Sequence, residues 1–303
     1  MILHHYPMSP YAEKIRLMLA YADIQWQSCI VPPMPPRPTL DPLLAGYRRI
    51  PVAQIGADIF CDTRIIAEEI ARIANKPELS YLSAGPEESE FATYVNETLF
   101  MPIVQSSNPP TVLRKLITQY WPWQIFKLLK DRAGVGKTSQ LPPVRSAQRK
   151  EIINDYKQQL EDKSAMSAFL FGEQPTIADF AAYHPVWFAN ETQPKDFLQD
   201  HPQAKDWQTR MSQFSKPAQS SIKKAELFTL TKQATPREVP GSYKKAANLG
   251  KPVSISPNDY ALDATSGTLV GEDEQRWIIS RESEEFGTIH VHFPKHGYQL
   301  TVS

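Results

Sequence analysis

Apolar positions in the first part of the chain alternate between the spacing of strands and the spacing of helices. Ile2–Tyr6 is a short apolar run that predicts a strand. Ser9 and Pro10 then form a typical helix start, with Ser as the N-cap and Pro in the first turn. Apolar residues follow at helical spacing, and Gln25–Val31, rich in β-branched and aromatic residues, predicts a second strand.

A hairpin and a further helix follow a proline-rich loop. Arg48–Ile55 and Ile59–Cys61 predict two strands joined by a tight turn. Asp62 or Thr63 is then positioned to cap an amphipathic helix. Strand, helix, strand, hairpin and helix in this order predict a thioredoxin-like α/β domain over residues 1–80.

The spacing of apolar residues becomes mainly helical over residues 86–222, which predicts an all-helical domain. Within it, Thr176 and Asp179 have the spacing of a capping box ahead of an apolar helix. We expect these two residues to have a structural role and to lie away from any ligand site.

Short alternating strands separated by turns characterise residues 227–303 and predict a small antiparallel β-rich region. The segment before them, residues 235–258, is rich in Pro, Gly and Lys and is expected to link or wrap. Alternation in the third of the four predicted strands places Ile289, Val291 and Phe293 on one face and His290 and His292 on the other. We expect the apolar face to dock on the body and the histidine face to meet solvent.

Composition excludes several kinds of partner. The chain has 33 basic and 33 acidic residues among 303, and the balance holds in each predicted region, so no nucleic-acid partner is expected. No run approaches the ~18 apolar residues of a membrane span, and the first residues lack the pattern of a signal peptide. With only Cys29 and Cys61, the sequence predicts a cytoplasmic protein with reduced thiols, no membrane partner and no cysteine-rich metal site.

Four motifs, in this order, resemble those of the cytosolic glutathione S-transferase family. They are Met8–Arg16, Arg49–Val52, Cys61–Ile66 and Gly172–Phe180. The resemblance implies the glutathione S-transferase fold, glutathione as co-substrate, an apolar electrophile as second substrate and a homodimer. It extends over residues 1–190, and residues beyond about 225 match nothing in the family's common core.

The resemblance implies that Ser9 is the catalytic residue. Glutathione chemistry needs a thiolate near neutral pH, whereas a free thiol has a pKa of about 8.5. A hydroxyl donor at a helix N-terminus lowers that pKa, and serine-using members of the family have their Ser at this point. The tyrosine-using classes have their Tyr where this chain has His5, which disfavours a tyrosine mechanism here. The alternative is that Ser9 acts only as a helix cap.

The same resemblance implies how glutathione is held. With a cis bond between Ile50 and Pro51, the Ile50 backbone pairs with the cysteinyl backbone of glutathione. Asp62 accepts from the γ-glutamyl ammonium, and Thr63 binds its carboxylate at a helix N-terminus. Asp-Thr stands here where the family has Glu-Ser, which keeps both chemical types but shortens the acid.

Two further residues complete the set of glutathione-binding candidates. Arg49, with Arg48 beside it, either meets the glycyl carboxylate of glutathione or is solvated. Tyr11 either lines the mouth of the same site or packs as a half-buried ring on the first turn of its helix.

Other signals are set aside. Gly134–Thr138 resembles the end of a phosphate-binding loop, but Asp131 stands where the motif requires Gly and a helix precedes it. The pair His290 and His292 has no Cys or carboxylate at ligand spacing, so packing is preferred over a metal site. The aromatic stripe Trp121, Trp123 and Phe126 is read as core in preference to a co-substrate cleft, and Cys61 as a buried strand residue.

Two functions remain open at this point. The first is a glutathione transferase that activates the thiol of glutathione for transfer to an apolar electrophile or peroxide. The second is a non-catalytic module that uses the same fold and the carboxy-terminal region to bind a ligand or protein.

Overall fold

The computed structural model describes residues 1–244 and 247–302 of the chain. The elements of the amino-terminal part are β1 (Ile2–His5), α1 (Pro10–Tyr21), β2 (Gln27–Ile30), α2 (Asp41–Leu44), β3 (Val52–Ile55), β4 (Asp58–Cys61) and α3 (Thr63–Ala74). β1 pairs with β2 in parallel and with β3 antiparallel, and β3 and β4 form the predicted hairpin. The thioredoxin-like order of elements is therefore confirmed.

A helical part follows, and a β-rich part ends the chain. The helices are α4 (Pro86–Tyr94), a π-helical turn (Val95–Leu99), α5 (Phe100–Gln105), α6 (Pro109–Gln119), α7 (Pro122–Thr138), α8 (Ser146–Ser164), α9 (Ile177–Thr192), α10 (Pro202–Ser212) and α11 (Lys224–Gln233). The strands are β5 (Ser220–Ser221), β6 (Pro252–Pro257), β7 (Thr265–Glu272), β8 (Arg276–Ser283), β9 (Gly287–Pro294) and β10 (Tyr298–Val302), and short 3-10 turns lie at Pro77–Leu79 and Gly241–Tyr243.

The start of α9 is held by one buried carboxylate. Asp179 accepts hydrogen bonds from the backbone amides of Thr176 and Leu170, each at 2.9 Å, and from Trp207 Nε1 at 2.8 Å. Burial raises the pKa of Asp179 to about 6, although these donors oppose the rise. The predicted capping box is present and fastens α9 to the segment before it and to α10.

Replacing Asp179 by Ala is expected to destabilise the fold and to leave unchanged the glutathione binding that the resemblance implies. The change leaves three buried donors without a partner, each at a cost of ~1–3 kcal/mol, whereas Thr176→Ala removes a cap with a contribution of ~0.5–2 kcal/mol. Urea unfolding and calorimetric binding measure the two quantities separately. A fall in glutathione affinity with an unchanged unfolding midpoint would show that this carboxylate serves the ligand site.

The carboxy-terminal strands continue the thioredoxin-like sheet. Their order, together with that of the first sheet, is β10-β6-β7-β8-β9-β4-β3-β1-β2-β5. β6 to β10 pair antiparallel with one another, as predicted, and β9 pairs in parallel with β4. β4 is thus an interior strand, covered by the chain's own carboxy-terminal region.

Two expectations for this region are wrong. Residues 235–258 contain the strand β6 in addition to linking chain, and residues 245 and 246 of that segment lie outside the described ranges. His292 is buried instead of solvated: its Nε2 lies 2.8 Å from Asp58 Oδ1, and its ring stacks on Phe60 with centroids 4.6 Å apart. Pairing of β9 with β4 and coverage by α3 bury this side of the strand as well.

The expected apolar face is confirmed. Ile289, Val291 and Phe293 are fully buried and join a core that also contains Val52 and Ile59 of the amino-terminal hairpin. Cys61 lies in the same core, as predicted for a buried strand residue.

The aromatic stripe of the helical part is not core. Trp121, Trp123 and Phe126 are all more than half exposed, whereas Ile125 of α7 is buried. Gly134–Thr138 lies within α7, in agreement with the rejection of a phosphate loop.

Candidate functional site

A cavity of about 800 Å³ opens between the start of α1, the loop before β3, the start of α3 and the carboxy-terminal region. It is lined by all seven residues that the sequence singled out, which are Ser9, Tyr11, Arg49, Ile50, Pro51, Asp62 and Thr63. The π-helical turn Val95–Leu99 contributes Asn96 and Glu97 to the same wall. Three separated stretches of sequence thus meet at one place, next to a helix irregularity of a kind frequent at functional sites.

Ser9 is both the cap of α1 and part of the cavity wall. Its Oγ accepts a hydrogen bond from the Ala12 amide at 3.2 Å, and the residue is 1% exposed. Within the described residues no group accepts the Ser9 hydroxyl proton, so the proton can be donated to a ligand atom in the cavity. The helix dipole at this end of α1 favours a negative ligand atom.

The loop before β3 and the start of α3 form the opposite wall. The Ile50–Pro51 bond is cis, as expected. Asp62 has φ of +79°, a value that non-glycine residues rarely adopt, and its side chain caps α3 by accepting from the Arg64 amide at 2.9 Å. Such backbone conformations occur preferentially at functional sites.

The carboxy-terminal region reaches the same wall, which the sequence did not indicate. The Tyr298 hydroxyl donates to Asp62 Oδ2 at 3.0 Å and accepts from Tyr47, 2.7 Å away. Asp62 Oδ2 also lies 3.8 Å from Arg49 Nη1. Burial raises the pKa of Tyr298 well above its usual value, so its hydroxyl remains a hydrogen-bond donor.

Arg49 is fastened to the carboxy-terminal region by charge and by an aromatic ring. It forms an ion pair with Asp259, and its guanidinium lies 4.3 Å from the centre of the Tyr260 ring. Arg48 pairs with Asp131 of α7 and lies 3.5 Å from Asp263. Both arginines therefore bind protein carboxylates, and a role for either at a glycyl carboxylate stays a prediction.

Tyr11 lines the cavity, and its environment keeps its phenol neutral. Its hydroxyl donates to the Asn96 carbonyl at 3.3 Å, and its ring lies 4.9 Å from that of His184. Burial raises the pKa of Tyr11 well above its usual value.

Two residues near the end of β1 occupy positions that matter for the mechanism. His5 lies outside the cavity, with its Nε2 2.8 Å from Ser28 Oγ, whereas Tyr6 lines the cavity together with Ser9. Tyr6 thus brings a second hydroxyl to the cavity. The sequence comparison did not indicate it, because that comparison placed His5 at the position of the family's Tyr. The only available signal was its place directly before the Pro7 turn.

Comparison with known proteins gives two family matches and a set of similar structures. The amino-terminal domain model of glutathione S-transferases matches residues 3–78, and the carboxy-terminal domain model matches residues 138–214. A GST-like protein from Pseudomonas syringae has 29% identity and a TM-score of 0.80, covering 100% of this chain and 99% of its own. A glutathione S-transferase from Sinorhizobium meliloti has 19% identity and a TM-score of 0.50, covering 75% and 91%. Curated protein sequences give no match.

The two family models together match about half of the chain, and the chain belongs to the glutathione S-transferase family. The match to the Pseudomonas syringae protein covers the whole of this chain and therefore includes the extra β region. Across residues 1–244 and 247–302, no group of three or more His, Cys, Asp or Glu side chains could hold a metal ion. No helix in these ranges is long and apolar enough to cross a bilayer.

Proposed function

We propose that this protein binds glutathione in the 800 Å³ cavity and activates its thiol for transfer to an apolar electrophile or a peroxide. The observation that carries the proposal is the convergence of Ser9, Ile50, Asp62 and Thr63 on that cavity from three separate motifs. Membership of the glutathione S-transferase family adds independent support.

In the proposed mechanism, the sulfur of glutathione lies at the start of α1. The Ser9 hydroxyl donates to it and the helix dipole favours its negative charge, so the thiol loses its proton near neutral pH. The thiolate then forms a bond to the electrophilic atom while the leaving group departs with the electron pair. For a peroxide, the thiolate attacks one oxygen, so that an S–O bond forms as the O–O bond breaks. The other oxygen departs with the electron pair and takes up a proton, and the sulfur, oxidised by the peroxide, becomes a sulfenic acid.

The second substrate is proposed to enter from the helical side. Met101, Val104 and Phe188 line that part of the cavity together with Leu141, and they offer an apolar surface. Burial of an apolar electrophile against this surface stabilises the bound state by roughly 25 cal/mol for each Å² of apolar surface removed from water.

Glutathione binding is tested most simply at Asp62. Asp62→Asn keeps the helix cap and tolerates the positive φ, and it removes only the charge. Since a hydrogen bond to a charged group contributes ~1.5–3 kcal/mol, calorimetry is expected to show at least about tenfold weaker binding of glutathione. Asp62→Ala is expected to bind at least as weakly, and equal affinity in all three proteins would contradict the proposed site.

The alternative function is a non-catalytic binding module, and we keep it because one contact competes with the proposed binding of glutathione. The carboxylate proposed for the ammonium of glutathione already accepts from Tyr298 and lies near Arg49. The ammonium of glutathione must therefore share the Asp62 carboxylate with these groups. Tyr298→Phe removes the hydrogen bond to Asp62 Oδ2 and leaves that oxygen available to glutathione. Binding of glutathione without turnover of any electrophile or peroxide would favour the module.

We also propose a homodimer and a cytoplasmic location. The dimer rests on the family, in which the first domain of one chain pairs with the helical domain of the other. Sedimentation at micromolar concentration is expected to give a particle of twice 34.4 kDa, and a single 34.4 kDa particle would end the idea. The location is supported by Cys29 and Cys61, which are buried, unpaired thiols.

A further inference from the structure

The exposed apolar side chains of the described residues are concentrated on two consecutive helices, α6 and α7. Six large apolar residues there are between 51% and 69% exposed, namely Leu113, Ile117, Trp121, Trp123, Phe126 and Leu129. The other exposed large apolar residues of the described chain are dispersed over six separate places. Such a concentration of exposed apolar side chains on neighbouring elements is typical of an interaction site.

The same two helices are basic, although the whole chain has no net charge. Residues 109–138, which span α6 and α7, contain six basic residues and a single acid, Asp131, which pairs with Arg48. Within residues 1–244 and 247–302, Arg114, Lys127 and Lys130 form no ion pair with a carboxylate, and all three are exposed. Positive charge and apolar surface thus lie on the same two helices.

The arrangement along α7 mixes the two properties on one side of the helix. Trp123, Phe126 and Lys130 follow at intervals of three and four residues, and each is exposed. At the turn into α7 the rings of Trp121 and Trp123 stack, with centroids 5.4 Å apart. Helices with aromatic and aliphatic residues beside lysines are typical of segments that lie in a membrane interface, where Trp is enriched.

We propose that α6 and α7 form a docking surface for an anionic lipid membrane. Lysine and arginine would be attracted to the anionic headgroups, and the six apolar side chains would enter the boundary between headgroups and acyl chains. The expectation of no membrane partner rested on the lack of a spanning segment, which peripheral binding does not need. This proposal is independent of the proposed enzymatic function.

Two other partners could be considered for this surface, a second copy of the chain and a nucleic acid, and its charge and apolar side chains argue against both. A symmetric contact of this surface with itself in a second copy would bring lysines against lysines, and no second apolar patch among the described residues could receive it instead. A nucleic acid would use the lysines and the Trp rings, but it offers no apolar phase for Leu113, Ile117 and Leu129.

The test is co-sedimentation of the full chain with vesicles of equal parts phosphatidylcholine and phosphatidylglycerol, compared with phosphatidylcholine alone. Wild type is expected to bind the anionic vesicles at low salt and to lose binding as salt screens the charges. Trp121→Ser/Trp123→Ser and Lys127→Glu/Lys130→Glu are each expected to weaken binding at least tenfold, since one lysine near such a surface contributes about fivefold.

Matched controls change the same residue types elsewhere on the surface. Leu82→Ser/Met166→Ser removes two exposed apolar residues and Lys223→Glu/Lys251→Glu reverses two exposed lysines, and neither is expected to alter binding. All five proteins, wild type included, are expected to have the same melting temperature, because every changed side chain is exposed.

Three results would overturn the proposal. The first is no binding to anionic vesicles, and the second is an equal loss in the control variants. The third is that the tryptophan variant changes the sedimentation mass, or abolishes binding to single-stranded DNA, and still binds anionic vesicles as the wild type does. That result would assign the surface to a second copy or to a nucleic acid.

Discussion

Replacing Ser9 by Ala is expected to lower kcat/KM for thiol transfer by about 10²-fold, a typical effect of removing one hydrogen-bond donor from a developing or stabilised anion. The reason is the place of the hydroxyl at the start of α1, buried, with a proton that no described residue accepts. The measurement is the initial rate of conjugation of glutathione to an electrophile that the wild type turns over.

Two variants separate this role from simpler ones. Ser9→Gly also lacks the hydroxyl but keeps most of the capping stability, so it is expected to be as inactive as Ser9→Ala and more stable. Tyr6→Phe removes the other hydroxyl at this end of β1 and is expected to keep most of the activity. If Tyr6→Phe were inactive and Ser9→Gly active, the catalytic hydroxyl would belong to Tyr6 and Ser9 would be only a cap.

Removing residues 226–303 is expected to abolish the folded state. Of the changes predicted in this protein, this one has the largest expected effect on stability. The truncated chain loses β9 from the edge of β4 and exposes a core that Val52, Ile59 and Tyr47 share with the removed strands. It also leaves the β4 edge unpaired, which is a template for aggregation. Circular dichroism and size-exclusion chromatography of residues 1–225 measure the outcome.

Point variants test the same contact within the full chain. Phe293→Ala is expected to lose ~3–5 kcal/mol of unfolding free energy, as for other fully buried aromatic residues. Val302→Ala, at an exposed position of β10, is expected to stay within about 0.5 kcal/mol of wild type. A truncated chain that melts at the wild-type temperature would instead make residues 226–303 an independent module.

The thioredoxin-like and helical parts could be predicted because their signals are local. Ser9 with Pro10 marks the start of α1, and Thr176 with Asp179 marks the start of α9 by spacing alone. Pairing of β9 with β4 could not be predicted, because it joins residues more than two hundred positions apart. His292 alternates with apolar residues and therefore read as solvated, although Asp58 supplies the hydrogen bond that allows its burial.

Only the amino-terminal contribution to the candidate site was predictable. Ser9, Asp62 and Thr63 follow from motifs, whereas Tyr298 and Asp259 come from a region that resembles nothing in the family's core. Helical periodicity identifies an apolar side of α7 but not what covers it, so the sequence predicts a core position for Trp123, which is exposed.

The central claim is that this chain binds glutathione and lowers the pKa of its thiol. The most direct measurement is a pH titration of the ultraviolet absorbance of the thiolate, with glutathione bound to the full-length wild type. The account predicts a midpoint well below the value of about 8.5 for a free thiol. Saturable binding with a midpoint at the free value would contradict it, because the start of α1 would then hold glutathione without activating it.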